Sequence, residues 1–167
     1  MHNCNKCNKM LRRFTAIFTA IFVLFAFYGC SSKNDLTSYN PPLNDIVEKA
    51  MQAGEYPEML ELDEKKLERF YNITPSEIAE YKVFIATTNV KADELAVIKL
   101  KNPSDAGAIK EKINKRIQQQ ANSFKDYLPN EYSLIENHVL SVKGNYILFA
   151  ISKNADKVEK AFAGFFK

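Results

Sequence analysis

From residue 43 onward the apolar positions recur with two distinct periods. Leu43, Ile46, Val47, Ala50 and Met51 fall at i, i+3, i+4, i+7 and i+8, which predicts an amphipathic helix stopped by Gly54 and Pro57. A second short helix is expected over Asp63–Tyr71, with Asp63 as its cap and Leu67, Phe70 and Tyr71 turned inward. Thr74-Pro75-Ser76-Glu77 has the spacing of a capping box with proline at the first helical position, and predicts one more turn through Ile78 and Ala79. The period then changes to two. Tyr81–Val90 and Glu94–Lys101 read as strands joined by a tight connection at Lys91-Ala92-Asp93, with Ala96, Ile98 and Leu100 on one face. Asn102-Pro103 should open a long helix carrying Ile109, Ile113, Ile117, Ala121, Phe124 and Leu128 as its buried stripe and ending at Pro129.

The same order then recurs. Leu134–Val142 reads as a strand, Gly144-Asn145 as a hairpin turn, and Tyr146–Ser152 as an interior strand, because its YILFAI run is the most apolar of this part. Asn154 should cap a last helix with Val158, Ala161, Phe162 and Phe165 inward. Strand-strand-helix thus occurs twice, about 51 residues apart, and the joints Lys101-Asn102 and Lys153-Asn154 echo one another. The expected fold class is α+β: a two-layer sandwich whose four-stranded, mainly antiparallel sheet carries two helices on one face, preceded by short amino-terminal helices.

Charge separates the amino terminus from the rest. The first 29 residues hold Lys6, Lys9, Arg12 and Arg13 and no acid, while residues 30–167 hold 19 basic and 20 acidic residues. A near-neutral domain argues against a nucleic-acid partner. Residues 14–32 carry no charge, and the apolar run FTAIFTAIFVLFAFY after a basic start has the layout of a secretory signal peptide. The run closes on Gly29-Cys30, which resembles a bacterial lipobox, with Phe27 and Tyr28 in place of the usual leucine and small residue. The organisation expected is a lipoprotein signal peptide over 1–29, a lipidated Cys30 with a flexible tether over 30–42, and a single extracytoplasmic domain over 43–167. The competing reading is an uncut membrane helix, since about 20 apolar residues span a bilayer. Either places the domain outside the cytoplasmic membrane, because basic residues before the span stay inside. The 12 residues 31–42 (SSKNDLTSYNPP) would reach roughly 20 Å, keeping the domain near the membrane.

Few residues suggest chemistry. Cys4, Cys7 and His2 fall in the segment expected to be removed, short of the four ligands of a structural zinc site. The exported part has one histidine, His138, which shares a strand face with Leu140 and Val142 and reads as packed. No nucleophile elbow, glycine-rich phosphate loop or calcium loop is present, so no metal or cofactor is expected. Glu55, Glu58, Glu61, Asp63 and Glu64 read as a solvated stretch and a helix start. The Asn72-Ile73-Thr74 sequon is not expected to be used. Asp93-Glu94 at a strand start is the sharper candidate, since packing does not require two adjacent acids there. Tyr127, Tyr132 and Tyr146 offer apolar area with a polar tip, for a binding surface or for rim packing.

The segments Phe70-Tyr71-Asn72-Ile73, Asp93-Glu94-Leu95-Ala96-Val97-Ile98, Asp126-Tyr127-Leu128-Pro129 and Asn137 before Gly144-Asn145-Tyr146 resemble an uncharacterised family of lipoproteins of Firmicutes-type bacteria, domain-of-unknown-function family 4358. The resemblance implies surface anchoring and the α/β layout, and brings no activity or catalytic residue. The expectation is a non-enzymatic binding or assembly module, anchored by lipid on Cys30 to the outer face of the cell membrane. Its partner would be an envelope protein or small ligand, with Asp93, Glu94 and Tyr127 as an exposed binding patch. The alternatives are a small-ligand carrier, with an apolar pocket between sheet and helices, and a cell-envelope hydrolase. The hydrolase would use two carboxylates from Asp93, Glu94, Glu131 and Glu136.

Overall fold

The computed structural model describes residues 40–166. The expected signal peptide, Cys30, the Cys4/Cys7 pair and most of the expected tether lie outside these residues. In chain order the elements are α1 (Leu43–Gly54), β1 (Met59–Glu61), α2 (Glu64–Tyr71), β2 (Ile78–Ala86), β3 (Glu94–Leu100), α3 (Ala106–Phe124), α4 (Pro129–Glu136), β4 (Val139–Lys143), β5 (Tyr146–Ile151) and α5 (Ala155–Ala163). The strands form one antiparallel sheet in the order β1-β2-β3-β5-β4.

The fold is α+β, and it departs from the expected sandwich in strand number and in layers. The sheet has five strands, because Met59–Glu61 pairs with Ala86, Ile85 and Phe84 at the edge of β2. Helices cover both faces. Ala96, Ile98 and Leu100 of β3 and Ile147, Phe149 and Ile151 of β5 pack with Leu67 and Tyr71 of α2 and Ile109 and Ile113 of α3. The alternate residues Leu95, Val97, Leu148 and Ala150 pack with Ile46 and Ala50 of α1 and Val158 and Phe162 of α5. Three layers result, with α3 and α5 on opposite faces.

Local signals mostly act where they stand. Asp63 caps α2 by accepting from Lys66 N at 2.8 Å. The Thr74/Glu77 capping box forms, but it closes a single 3-10 turn (Pro75–Glu77), and Ile78 and Ala79 already belong to β2. The β4–β5 connection is a two-residue hairpin in which Gly144 alone takes a positive φ, 57°, as a type II′ turn needs. Gly54 ends α1 at a close approach: a Cβ there would lie 2.1 Å from Tyr56 Cε2. Two expectations fail. The β2–β3 connection runs from Thr87 to Asp93 rather than over three residues. Pro129 begins α4 instead of leading into a strand, so Leu134 and Ile135 are helical and β4 starts at Val139. Proline suits a first helical position because its missing N–H is not needed there.

Candidate functional site

Glu94 opens β3 between Ile85 of β2 and Ile151 of β5, and it is fully buried. Period two turns it to the same side as Ala96, under α3. On α3, Arg116 and Gln120 lie one turn apart on the flank of the Ile109/Ile113/Phe124 stripe, so both reach the carboxylate. Arg116 Nε donates to Oε1 at 3.1 Å and Nη2 to Oε2 at 2.9 Å, while Gln120 Nε2 donates to Oε2 at 2.6 Å. The Tyr71 hydroxyl, from the end of α2, donates to Oε1. Both oxygens therefore have two donors, which fills a carboxylate's capacity. The Arg116 guanidinium also lies over the Phe70 ring, 5.1 Å from its centroid. Burial alone would lower the Arg116 pKa, but the charge and hydrogen bonds of Glu94, together with Tyr71, outweigh it and raise the value. Burial, then Glu94, pushes the Tyr71 phenol well above its usual range.

Beside this network a cleft of about 370 Å³ opens between the β2–β3 connection and the carboxy-terminal half of α3. Ile85, Thr87, Asn89 and Asp93 line one wall and Arg116, Gln120, Ser123 and Phe124 the other. The connection is held by α4: Glu131 accepts from Lys91 Nζ at 2.8 Å and from Ala92 N at 2.9 Å. Ala86 N also donates to Asp93 O at 3.0 Å, closing the connection at its base.

Asp93 is 8% exposed. Its carboxyl accepts from its own backbone N–H and, among the described residues, from no other residue. Burial and the neighbouring Glu131 raise its pKa, with Lys91 opposing. The Tyr56 hydroxyl is buried without a hydrogen-bond partner among the described residues, and burial and the Asp93 charge raise its pKa.

The expected exposed patch of Asp93, Glu94 and Tyr127 is not one surface. Asp93 and Glu94 are buried, and Glu94 is closed off by its four donors; Tyr127 is 82% exposed. A backbone hydrogen bond from Tyr127 N to Phe124 O, at 3.1 Å, sets Tyr127 just beyond the cleft wall. Of the hydrolase pool, Glu131 holds the connection and Glu136 lies beside the Tyr132 phenol, raising its pKa. His138 lies between α4 and β4 rather than in a strand, with Nδ1 2.7 Å from Ile135 O and its ring edge-on to Phe149 at 6.0 Å. Tyr146 is buried in β5, where its hydroxyl reaches Asn40 Oδ1 at 2.6 Å and Pro41 O at 2.7 Å. Arg116 and Gln120 were not among the expected site residues; a charge flanking the apolar stripe of α3 is the signal for them.

Among the described residues, no helix is long and apolar enough to cross a membrane, and no group of three or more His, Cys, Asp or Glu is placed to hold a metal ion. No curated protein and no solved structure matches the chain. A family model matches residues 52–152, which run from within α1 to just past β5 and include every residue of the Glu94 network and the cleft. The chain therefore belongs to the family described as domain of unknown function DUF4358.

Proposed function

We propose that this chain is a non-enzymatic, extracytoplasmic binding module, tethered to the cell membrane by lipid on Cys30, whose recognition surface is the cleft beside Glu94. One observation carries the reading: the exposed large apolar side chains among the described residues, Leu60, Val90 and Tyr127, are each close neighbours, in the sheet or along the chain, of a residue that lines the cleft. Leu60 sits opposite Ile85 in the sheet, Val90 lies between Asn89 and Lys91, and Tyr127 follows Phe124 by one turn. Apolar side chains gathered round a polar cleft are the usual make-up of a recognition surface. The tether supports the same reading. Asn40 and Pro41 are held by Tyr146, which pairs with Lys99, whereas the cleft lies at the Glu94 end of the same strand. Five residues of strand separate the two ends by about 17 Å, so the cleft faces away from the point where the chain approaches the membrane.

The test is photo-crosslinking in living cells from an unnatural residue at Val90 or Tyr127, with Lys49 on α1 as the control position. Specific adducts from the first two and none from Lys49 are expected. The same adducts from all three positions refute the reading. Mass spectrometry of the amino-terminal peptide tests the anchor, and a peptide running upstream of an unmodified Cys30 removes it.

A further inference from the structure

The cleft leaves specific polar groups unfilled. Asp93 is nine-tenths buried, and among the described residues only its own backbone N–H donates to its carboxyl. Such a group costs free energy unless something supplies a further donor. On the opposite wall Arg116 carries five N–H donors. Two go to Glu94 and one more is engaged by the Tyr71 hydroxyl, which leaves donors unclaimed. Lys91 Nζ gives one of its hydrogens to Glu131 and is half exposed. One cleft thus holds a carboxyl whose one donor is its own backbone N–H and cations that have donors to spare. Lys91 and Arg116 against Asp93, Glu94 and Glu131 leave the group one negative charge in excess. An anion alone is therefore disfavoured, and a ligand that also brings a positive charge is matched.

We propose that the cleft binds a small zwitterion, an amino acid or short peptide, with its α-ammonium on Asp93 and its α-carboxylate on the free donors of Arg116 and Lys91. The proposal rests on the reading of the cleft as the recognition surface and adds the class of ligand. The volume of about 370 Å³ is at the small end for ligand sites, suited to a few residues rather than a folded partner. Thr87, Asn89 and Ser123, which are uncharged and exposed at its edges, suit the amide groups of a peptide. Val90, next to Asn89 and Lys91, and Tyr127, bonded through its N–H to Phe124 O, would meet its side chains.

The experiment is isothermal titration calorimetry on the full chain in mild detergent. The probes are alanyl-alanine and leucyl-leucine in L,L and D,D forms, each also as its N-acetylated and its amidated derivative. At least one free dipeptide is expected to bind saturably at millimolar concentration or below. Blocking either end should weaken that binding about 10-fold or more, since each block removes a charged hydrogen-bonding group. Asp93→Asn should make the free and N-acetylated forms equivalent. Ser123→Trp, at an exposed position on the cleft wall, should abolish binding while the thermal midpoint stays put. Absence of saturation with every free dipeptide overturns the proposal, and so does equal binding of the blocked forms. If the dipeptides fail while the Val90 and Tyr127 crosslinks persist, the ligand class is wrong and the recognition surface stands. If both fail, the surface is wrong as well.

Discussion

Replacing Arg116 with methionine removes the charge that balances Glu94 while keeping most of the side-chain length over Phe70. Glu94 keeps Tyr71 and Gln120 as donors but becomes a fully buried carboxylate without a counter-charge. Breaking a buried pair from one side costs about 3–5 kcal/mol. A loss of roughly 3–5 kcal/mol is therefore expected, a large part of the 5–15 kcal/mol typical of a domain. Urea unfolding followed by circular dichroism measures this. The double variant Glu94→Gln with Arg116→Met, which removes both charges, should recover most of the loss. A deficit below about 1 kcal/mol, or a double variant no more stable than Arg116→Met alone, would refute the account of Glu94 and Arg116 as a buried pair that depend on one another.

Asp93 has its pKa raised by burial and by Glu131, so its folded form binds protons more readily than its unfolded form. Its ionisation therefore costs stability as pH rises through the folded value, and Asp93→Asn should be more stable than the parent at pH 7 and equal to it below about pH 4; urea unfolding at both pH values decides. Gly54→Ala would drive a methyl to 2.1 Å from the Tyr56 ring, an overpacking cost of about 1–3 kcal/mol that a lowered thermal midpoint would report. Tyr146→Phe removes the hydroxyl that holds Asn40 and Pro41, at a cost of about 1 kcal/mol. Its signature is faster amide exchange at residues 40–46 with the β3 and β5 amides unchanged.

What the sequence reveals here is what neighbours in the chain decide. The Asp63 cap, the Thr74/Glu77 box, the Gly144 turn and the α3 stripe are all short-range, and each forms, although the box closes only a 3-10 turn and α3 ends at Phe124, short of Leu128. The layer count is also legible. In ELAVIKL both Ala96/Ile98 and Leu95/Val97 are apolar, the mark of a strand buried on both faces, whereas the two-layer reading used only one parity. Pro129 is ambiguous in sequence, because proline both ends helices and begins them; the Lys125–Leu128 break decides for beginning. β1 has three residues, too few for any period to register. Arg116 was hidden for another reason. Its partner lies 22 residues away on a different layer, and only packing of α3 on the sheet brings the two together.

The Glu94 cluster and the cleft share a wall, and that bears on why a buried charge pair stands there. Hydrophobic residues of similar volume would stabilise the same site at least as well, so stability alone does not account for the pair. Its geometry fixes position. Two bonds from one guanidinium, one from Gln120 and one from Tyr71 tie α3, α2 and the first residue of β3 to a single carboxylate. Glu131 does the same for the β2–β3 connection from α4, through Lys91 and the Ala92 amide. Both walls of the cleft are thereby held before any ligand arrives, which lowers the ordering cost of binding. Apolar packing could fill the volume beneath the cleft, but it would not aim the Arg116 donors at one side of it. The polar core at this end of the sheet is therefore best understood as the support of the proposed recognition surface.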